Sequence, residues 1–161
     1  MTENKEIIDL GNKIKTKLIQ YERYIIAVIA ICLVIKYLHI PLSGVICTLL
    51  LSTIGVMYFF SAFSNQYESE VTAFDIFIYK ISGFASAVLI IGILFSIQHW
   101  PGFRNMLIMG LFTLLISLIY MIFQNGKRSE SKPFDQWLII RISVLIMIAL
   151  GFMIDKLGLT L

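Results

Sequence analysis

Gln98-His99-Trp100-Pro101-Gly102 is a polar and aromatic stretch set between two runs of almost pure hydrocarbon, 77–97 before it and 106–123 after it. Pro and Gly side by side break a regular element and mark a turn. Each flanking run approaches the roughly 20 apolar residues that a helix needs to cross about 30 Å of bilayer hydrocarbon. The stretch therefore reads as the outer corner of a membrane hairpin. His39-Ile40-Pro41 stands between two similar runs, 24–40 and 42–63, and reads as a second such corner.

The rest of the chain follows from this reading. A chain of 161 residues that is 58% hydrophobic and 14% charged is too apolar for an ordinary soluble domain of its size. In lipid every backbone polar group must be satisfied internally, so the apolar runs are helices. Residues 1–23 carry Ile7, Ile8, Leu10, Ile14, Leu18 and Ile19 at helical spacing among charges, which predicts an amphipathic cytoplasmic lead-in on the membrane surface, with a partner-docking helix as the alternative. That stretch is too polar for a signal peptide, so the first span is expected to act as an uncleaved anchor. Residues 24–63 form hairpin 1 and residues 74–123 hairpin 2, with Asp75 placed to cap the helix that follows. Asn125-Gly126 reads as a turn or helix stop, and residues 134–157 form a fifth transmembrane helix.

A shift of sixty residues places Ala27 over Ala87, Ile31 over Ile91, His39 over His99, Pro41 over Pro101 and Asn65 over Asn125. A further shift places Phe74-Asp75 over Phe134-Asp135. The expected fold is thus an all-α, polytopic membrane helix bundle: five transmembrane helices from repeated two-helix hairpins of period sixty, the fifth being half of a third unit.

Charge sets the orientation. Lys5, Lys13, Lys15, Lys17, Arg23, Lys80, Lys127, Arg128, Lys132 and Arg141 fall on one side, and only Lys36, Arg104 and Lys156 on the other. The positive-inside bias puts the N-terminus in the cytoplasm, both corners outside and, with five spans, the C-terminus in the periplasm. The net charge of +3 lies in connections and at helix ends, not on a face that could track phosphates. The expected partner is a lipid bilayer and not nucleic acid.

Residues that could carry chemistry are few. Lys36 is one turn from the outer end of its span and can snorkel to the interface. His39 and His99 sit where water reaches them; each is either an interfacial anchor beside a helix start or a proton-passing group, since histidine titrates near neutrality. Ser82/Ser86 and Gly83/Ala87 give the third span a small-residue face suited to helix packing. Thr48, Ser52, Thr53, Thr113 and Ser117 can return their hydroxyls to their own helices. No Asp or Glu lies in the middle of a span, and no Cys/His spacing suits a metal. Cys32 and Cys47 fall in apolar runs and read as small hydrophobes. No catalytic residue, metal or cofactor is expected.

Residues 79–123, with the Gly83 to Gly92 spacing, Phe95, Gln98-His99-Trp100-Pro101-Gly102 and Met106-Leu107, resemble the N-terminal membrane hairpin of GldL. That family belongs to the inner-membrane motor of gliding motility and type IX secretion. The resemblance implies a bacterial inner-membrane, multi-pass protein with its corner in the periplasm. It also implies a homo-oligomer or a single-span membrane partner. The family's lysine three positions before the histidine is matched by Lys36 in the first unit but replaced by Ser96 in the second, and its membrane glutamate falls near Leu114 or Ile54. The expectation is therefore a non-enzymatic scaffold or accessory subunit of a membrane complex. The alternatives are a proton- or ion-conducting subunit using Lys36, His39 and His99, and a small membrane enzyme. Lys36, His39, Gln98, His99, Trp100 and Pro101 are the candidate site residues.

Overall fold

The computed structural model describes residues 2–37, 43–64, 72–127, 134 and 136–156. Among these residues the regular elements are five helices: α1 Thr2–Tyr37, α2 Ser43–Ser61, α3 Ala73–Ile97, α4 Phe103–Lys127 and α5 Gln136–Lys156. Four of them contain segments long and apolar enough to cross a membrane: Gly44–Ser61, Ala73–Ile97, Phe103–Lys127 and Gln136–Ile154. The protein is a membrane protein with multiple apolar helices.

Helix α3 is the hub. It packs against α2, α4 and α5, while α1 lies along α2 and α5 also meets α4. Accordingly 56% of the α3 span is buried, against 28% for α4 and 33% for α5. Its buried residues Ile78, Leu89, Ile90, Ile93, Leu94 and Ile97 join Leu107, Leu114 and Met121 of α4 and Ile142, Leu145 and Ala149 of α5 in one core. Without a hydrophobic drive between helices in lipid, close packing must supply the attraction. Glycines make it close: a Cβ on Gly110 of α4 would lie 2.9 Å from Leu89 Cβ, and one on Gly92 of α3 would lie 3.1 Å from Met106 Cβ. On the other side of α3, a Cβ on Gly83 would lie 3.0 Å from Cβ of Ala62, the residue after α2.

At three places the structure adds detail to what the sequence suggests. Helix α1 runs unbroken through residue 23, where a surface lead-in was expected to end, because no Gly or Pro after Gly11 interrupts it. Its first third packs on the end of α2: a Cβ on Gly11 would lie 2.9 Å from the Phe60 carbonyl oxygen, and Ser64 Oγ donates to Asn12 Oδ1 at 2.8 Å. Secondly, the N-cap of α3 is Thr72, with Asp75 in the third helical position of a capping box. A Thr side chain reaches the orphan amide while the carboxylate three residues on reaches back, so the earlier residue takes the cap. Thirdly, α4 continues through Asn125-Gly126 to Lys127. Asn125 instead grips the approach to α5, donating from Nδ2 to the Phe134 carbonyl at 2.9 Å and accepting from its amide at 3.2 Å.

The hydroxyls of Thr48, Thr53, Thr113 and Ser117 donate to carbonyls four residues earlier at 2.7, 2.7, 2.8 and 2.9 Å. Each is satisfied inside its own helix, as the bilayer requires.

Candidate functional site

The corner at residues 98–102 is a helix stop built from the backbone outward. Gln98 is the C-cap of α3, and its amide still donates to Leu94 O. His99 then takes the left-handed conformation, φ 57°. The His99 amide donates to Ser96 O at 3.3 Å and the Trp100 amide to Phe95 O at 2.8 Å. These two bonds are the paired links of a Schellman motif, which satisfies carbonyls that the helix leaves orphaned. The hydrophobic contact that accompanies such motifs is present: the Phe95 and Trp100 rings meet edge to face with centroids 5.0 Å apart. Pro101 follows, where it cannot prolong α3, and Gly102 at φ 88° turns the chain into α4, its carbonyl accepting from the Met106 amide at 3.3 Å. Histidine tolerates the left-handed region better than most residues other than Gly, Asn and Asp.

Gln98 fastens this corner to the neighbouring helix. Its Nε2 donates to the Gly44 carbonyl of α2 at 3.0 Å and also to Thr48 Oγ1. The tip of the α3–α4 hairpin is thereby pinned to the first turn of α2. His99, Trp100 and Pro101 are exposed. Lys36 falls in the last turn of α1, with its side chain outside the described part. His39 lies outside the described residues. Ser82, Gly83, Ser86 and Ala87 are all buried. Ser82 donates to Tyr79 O at 2.8 Å and Ser86 to Ser82 O at 2.7 Å, which leaves their small surfaces for packing.

The sequence reading missed a second polar group of residues, at the opposite end of α3. Asp75 is 0% exposed. Its Oδ2 accepts from the Thr72 amide at 2.9 Å and the Thr72 hydroxyl at 2.6 Å, and its Oδ1 accepts from the Tyr120 hydroxyl of α4 at 2.8 Å. Gln124 Nε2 donates to the same Tyr120 oxygen at 3.2 Å. On α5, Arg141 is only 5% exposed, and its guanidinium carbon stands 4.7 Å from the centroid of the fully buried Tyr58 ring of α2. Buried charges of this kind require partners, which here include a hydroxyl and an aromatic face. A signal existed: Arg141 interrupts the apolar run Leu138-Ile139-Ile140 to Ile142, yet it reads equally well as one more cytoplasmic charge. No group of three or more His, Cys, Asp or Glu residues that could hold a metal ion occurs among the described residues.

Comparison with known proteins agrees with the corner. Residues 81–133, which span α3 from Ile81 onward, the corner, α4 and the segment after it, match the family model of the GldL N-terminal domain. No curated protein and no solved structure matches the chain.

Proposed function

We propose that this chain is a non-enzymatic, multi-pass inner-membrane protein of the GldL type that serves as a scaffold or accessory subunit of a membrane complex. The observation that carries the reading is the build of the GldL-like segment. Its characteristic corner spends its groups on ending α3 and fastening to α2, through the His99 backbone, the Phe95–Trp100 contact and the Gln98 side chain. The positions where the resemblance places the family's membrane carboxylate hold Ile54 and Leu114, both buried and neither able to carry a proton. Counting α1 as a span gives five, with the N-terminus in the cytoplasm by the distribution of Lys and Arg and the C-terminus outside. Affinity purification in mild detergent tests the reading. A self-assembly or a second membrane protein should co-purify, and recovery of a lone chain without either refutes it.

Buried Asp75 favours a second reading, a proton- or ion-conducting subunit. The sequence left no carboxylate inside the bundle, and the structure buries this one against Tyr120. Vesicles reconstituted with the protein would then show a proton flux that falls in Asp75→Asn, or in Lys36→Ala, His39→Ala and His99→Ala combined. Flux unchanged by all four substitutions eliminates conduction.

A further inference from the structure

Close contacts at Gly11, Gly83 and Gly110 fix the relative heights of the helices. A Cβ on Gly11 of α1 would lie within 3.1 Å of the backbone at Phe60, Phe63 and Ser64, and one on Gly83 of α3 would lie 3.0 Å from Ala62 Cβ. Gly11, the end of α2 and Gly83 therefore share one level. From that level α1 runs along α2 toward the corner, since residues 38–42 return the chain directly from Tyr37 to Ser43. Helix α4 is placed by Gly110, which faces Leu89 of α3.

On the side away from the corner, α3 and α4 extend well past this level, and their surface there is apolar. At about 1.5 Å per residue, Phe77 lies about 9 Å and Phe74 about 13 Å beyond Gly83. Phe123, counted from the contact of Gly110 with Leu89, lies about 10 Å beyond it. The three rings are 53%, 54% and 59% exposed. Rings so exposed belong in the hydrocarbon or at its border, so the bilayer reaches at least this far beside α3 and α4.

Helix α1 presents the opposite surface on the corner side of the same level. Lys13, Lys17 and Gln20 are exposed and follow one another at helical spacing. Along the helix they stand about 3, 9 and 13 Å above Gly11. Tyr24, 68% exposed, ends this polar stripe, and the exposed Ala27, Ile31 and Val34 continue it as hydrocarbon. Lys17 thus lies about 19 Å, measured along the helices, farther from that side of the membrane than Phe123, more than a snorkelling side chain can span. One flat border cannot serve both surfaces. A lysine held in hydrocarbon is strongly disfavoured, whereas a bilayer thins at modest cost per ångström.

We infer that the leaflet on the N-terminal side of the bundle is indented beside α1, and that phospholipid phosphates are drawn down to Lys13 and Lys17. The two cations, four residues apart on one exposed face, match the negative charge of the phosphates that border the hydrocarbon. Tyr24 marks the floor of the indentation. The protein then acts as a local thinner of the bilayer, and polar groups face a shorter hydrocarbon barrier beside Ala27 and Ile31 than elsewhere. The inference needs only that the apolar helices span a bilayer; it depends neither on the scaffold reading nor on which leaflet is cytoplasmic.

Spin labels in reconstituted phospholipid vesicles test it, in a chain carrying Cys32→Ala and Cys47→Ala. A short thiol-to-thiol crosslinker between Asn12→Cys and Ser64→Cys, at positions whose native side chains meet at 2.8 Å, first locks α1 in register with α2. A label then placed at Gln20→Cys should favour collision with a water-soluble nickel chelate over oxygen, and one at Phe123→Cys should show the reverse. The label at position 20 should also speed the NMR relaxation of lipid phosphorus more than the label at 123, and Lys13→Gln with Lys17→Gln should abolish that excess. Failure of the crosslink, a preference for oxygen at position 20, or phosphorus relaxation indifferent to the two lysines overturns the inference. Nickel access without a phosphorus effect would show a water-filled cleft in place of lipid headgroups and overturns it equally.

Discussion

Replacing Gly110 by alanine isolates the contact on which the α3–α4 hairpin depends. The new Cβ would lie 2.9 Å from Leu89 Cβ and 3.1 Å from both the Cα and the amide nitrogen of Leu89. Carbon atoms attract best at about 3.5–4.0 Å, so the deficit is about half an ångström or more. Two of the three atoms are main chain, and no rotamer change can move them, so the helices themselves must part. Overpacking of this kind costs about 1–3 kcal/mol. Alanine returns about 1 kcal/mol through its better helix propensity, leaving a net loss of about 0–2 kcal/mol. Gly151→Ala supplies the control: with nothing within 4 Å it receives the propensity gain without a clash. The two variants should therefore differ by about 1–3 kcal/mol, with Gly110→Ala the less stable. Unfolding of the monomer in mild detergent, followed by circular dichroism and by Trp100 and Trp137 fluorescence, reads the difference. Equal stabilities, or a more stable Gly110→Ala, would refute the reasoning.

Other substitutions address the corner and the buried carboxylate. His99→Gly should raise stability by about 1 kcal/mol in the same unfolding assay, since φ 57° costs glycine nothing, whereas His99→Val should lower it. A loss in His99→Gly would mean that the imidazole, and not the backbone, holds the turn. Tyr120→Phe removes a donor from Asp75 Oδ1 and should cost about 1–3 kcal/mol; an unchanged midpoint would exclude that bond from the fold's support. Gln98→Leu should cost about 1 kcal/mol and speed hydrogen exchange in the first turn of α2, the segment it pins.

Much of the fold was legible because apolar length and helix-breaking residues are local signals. Residues 98–102 read as a corner from Pro101 and Gly102 alone, and α3 and α4 end and begin beside them. The internal logic of the corner was not legible, because the position that His99 occupies usually carries glycine and no local rule announces a histidine there. Asp75 was recognised as a capping residue but assigned the wrong place in the cap, because the Thr72 hydroxyl three residues earlier takes the N-cap position. The burial of Asp75 had no sequence signal, and that of Arg141 only the ambiguous one of a charge interrupting an apolar run. Both depend on Tyr120 and Tyr58, which reach them from other helices, and single-chain periodicity does not say which tyrosine faces which charge. In the first third of α1 an amphipathic stripe suits a bilayer surface or a neighbouring helix alike, and Gly11 and Asn12 meet the end of α2.

The central claim is a five-span protein whose GldL-like corner faces the outside. Single cysteines at Thr2→Cys, His99→Cys, Gly126→Cys and Leu161→Cys, each in a chain with Cys32→Ala and Cys47→Ala, test it through labelling of intact inner membranes by an impermeant thiol reagent. The account predicts labelling from the periplasmic side at positions 99 and 161 and protection at positions 2 and 126. Protection at 161, or labelling of 2 and 99 from the same side, would contradict it.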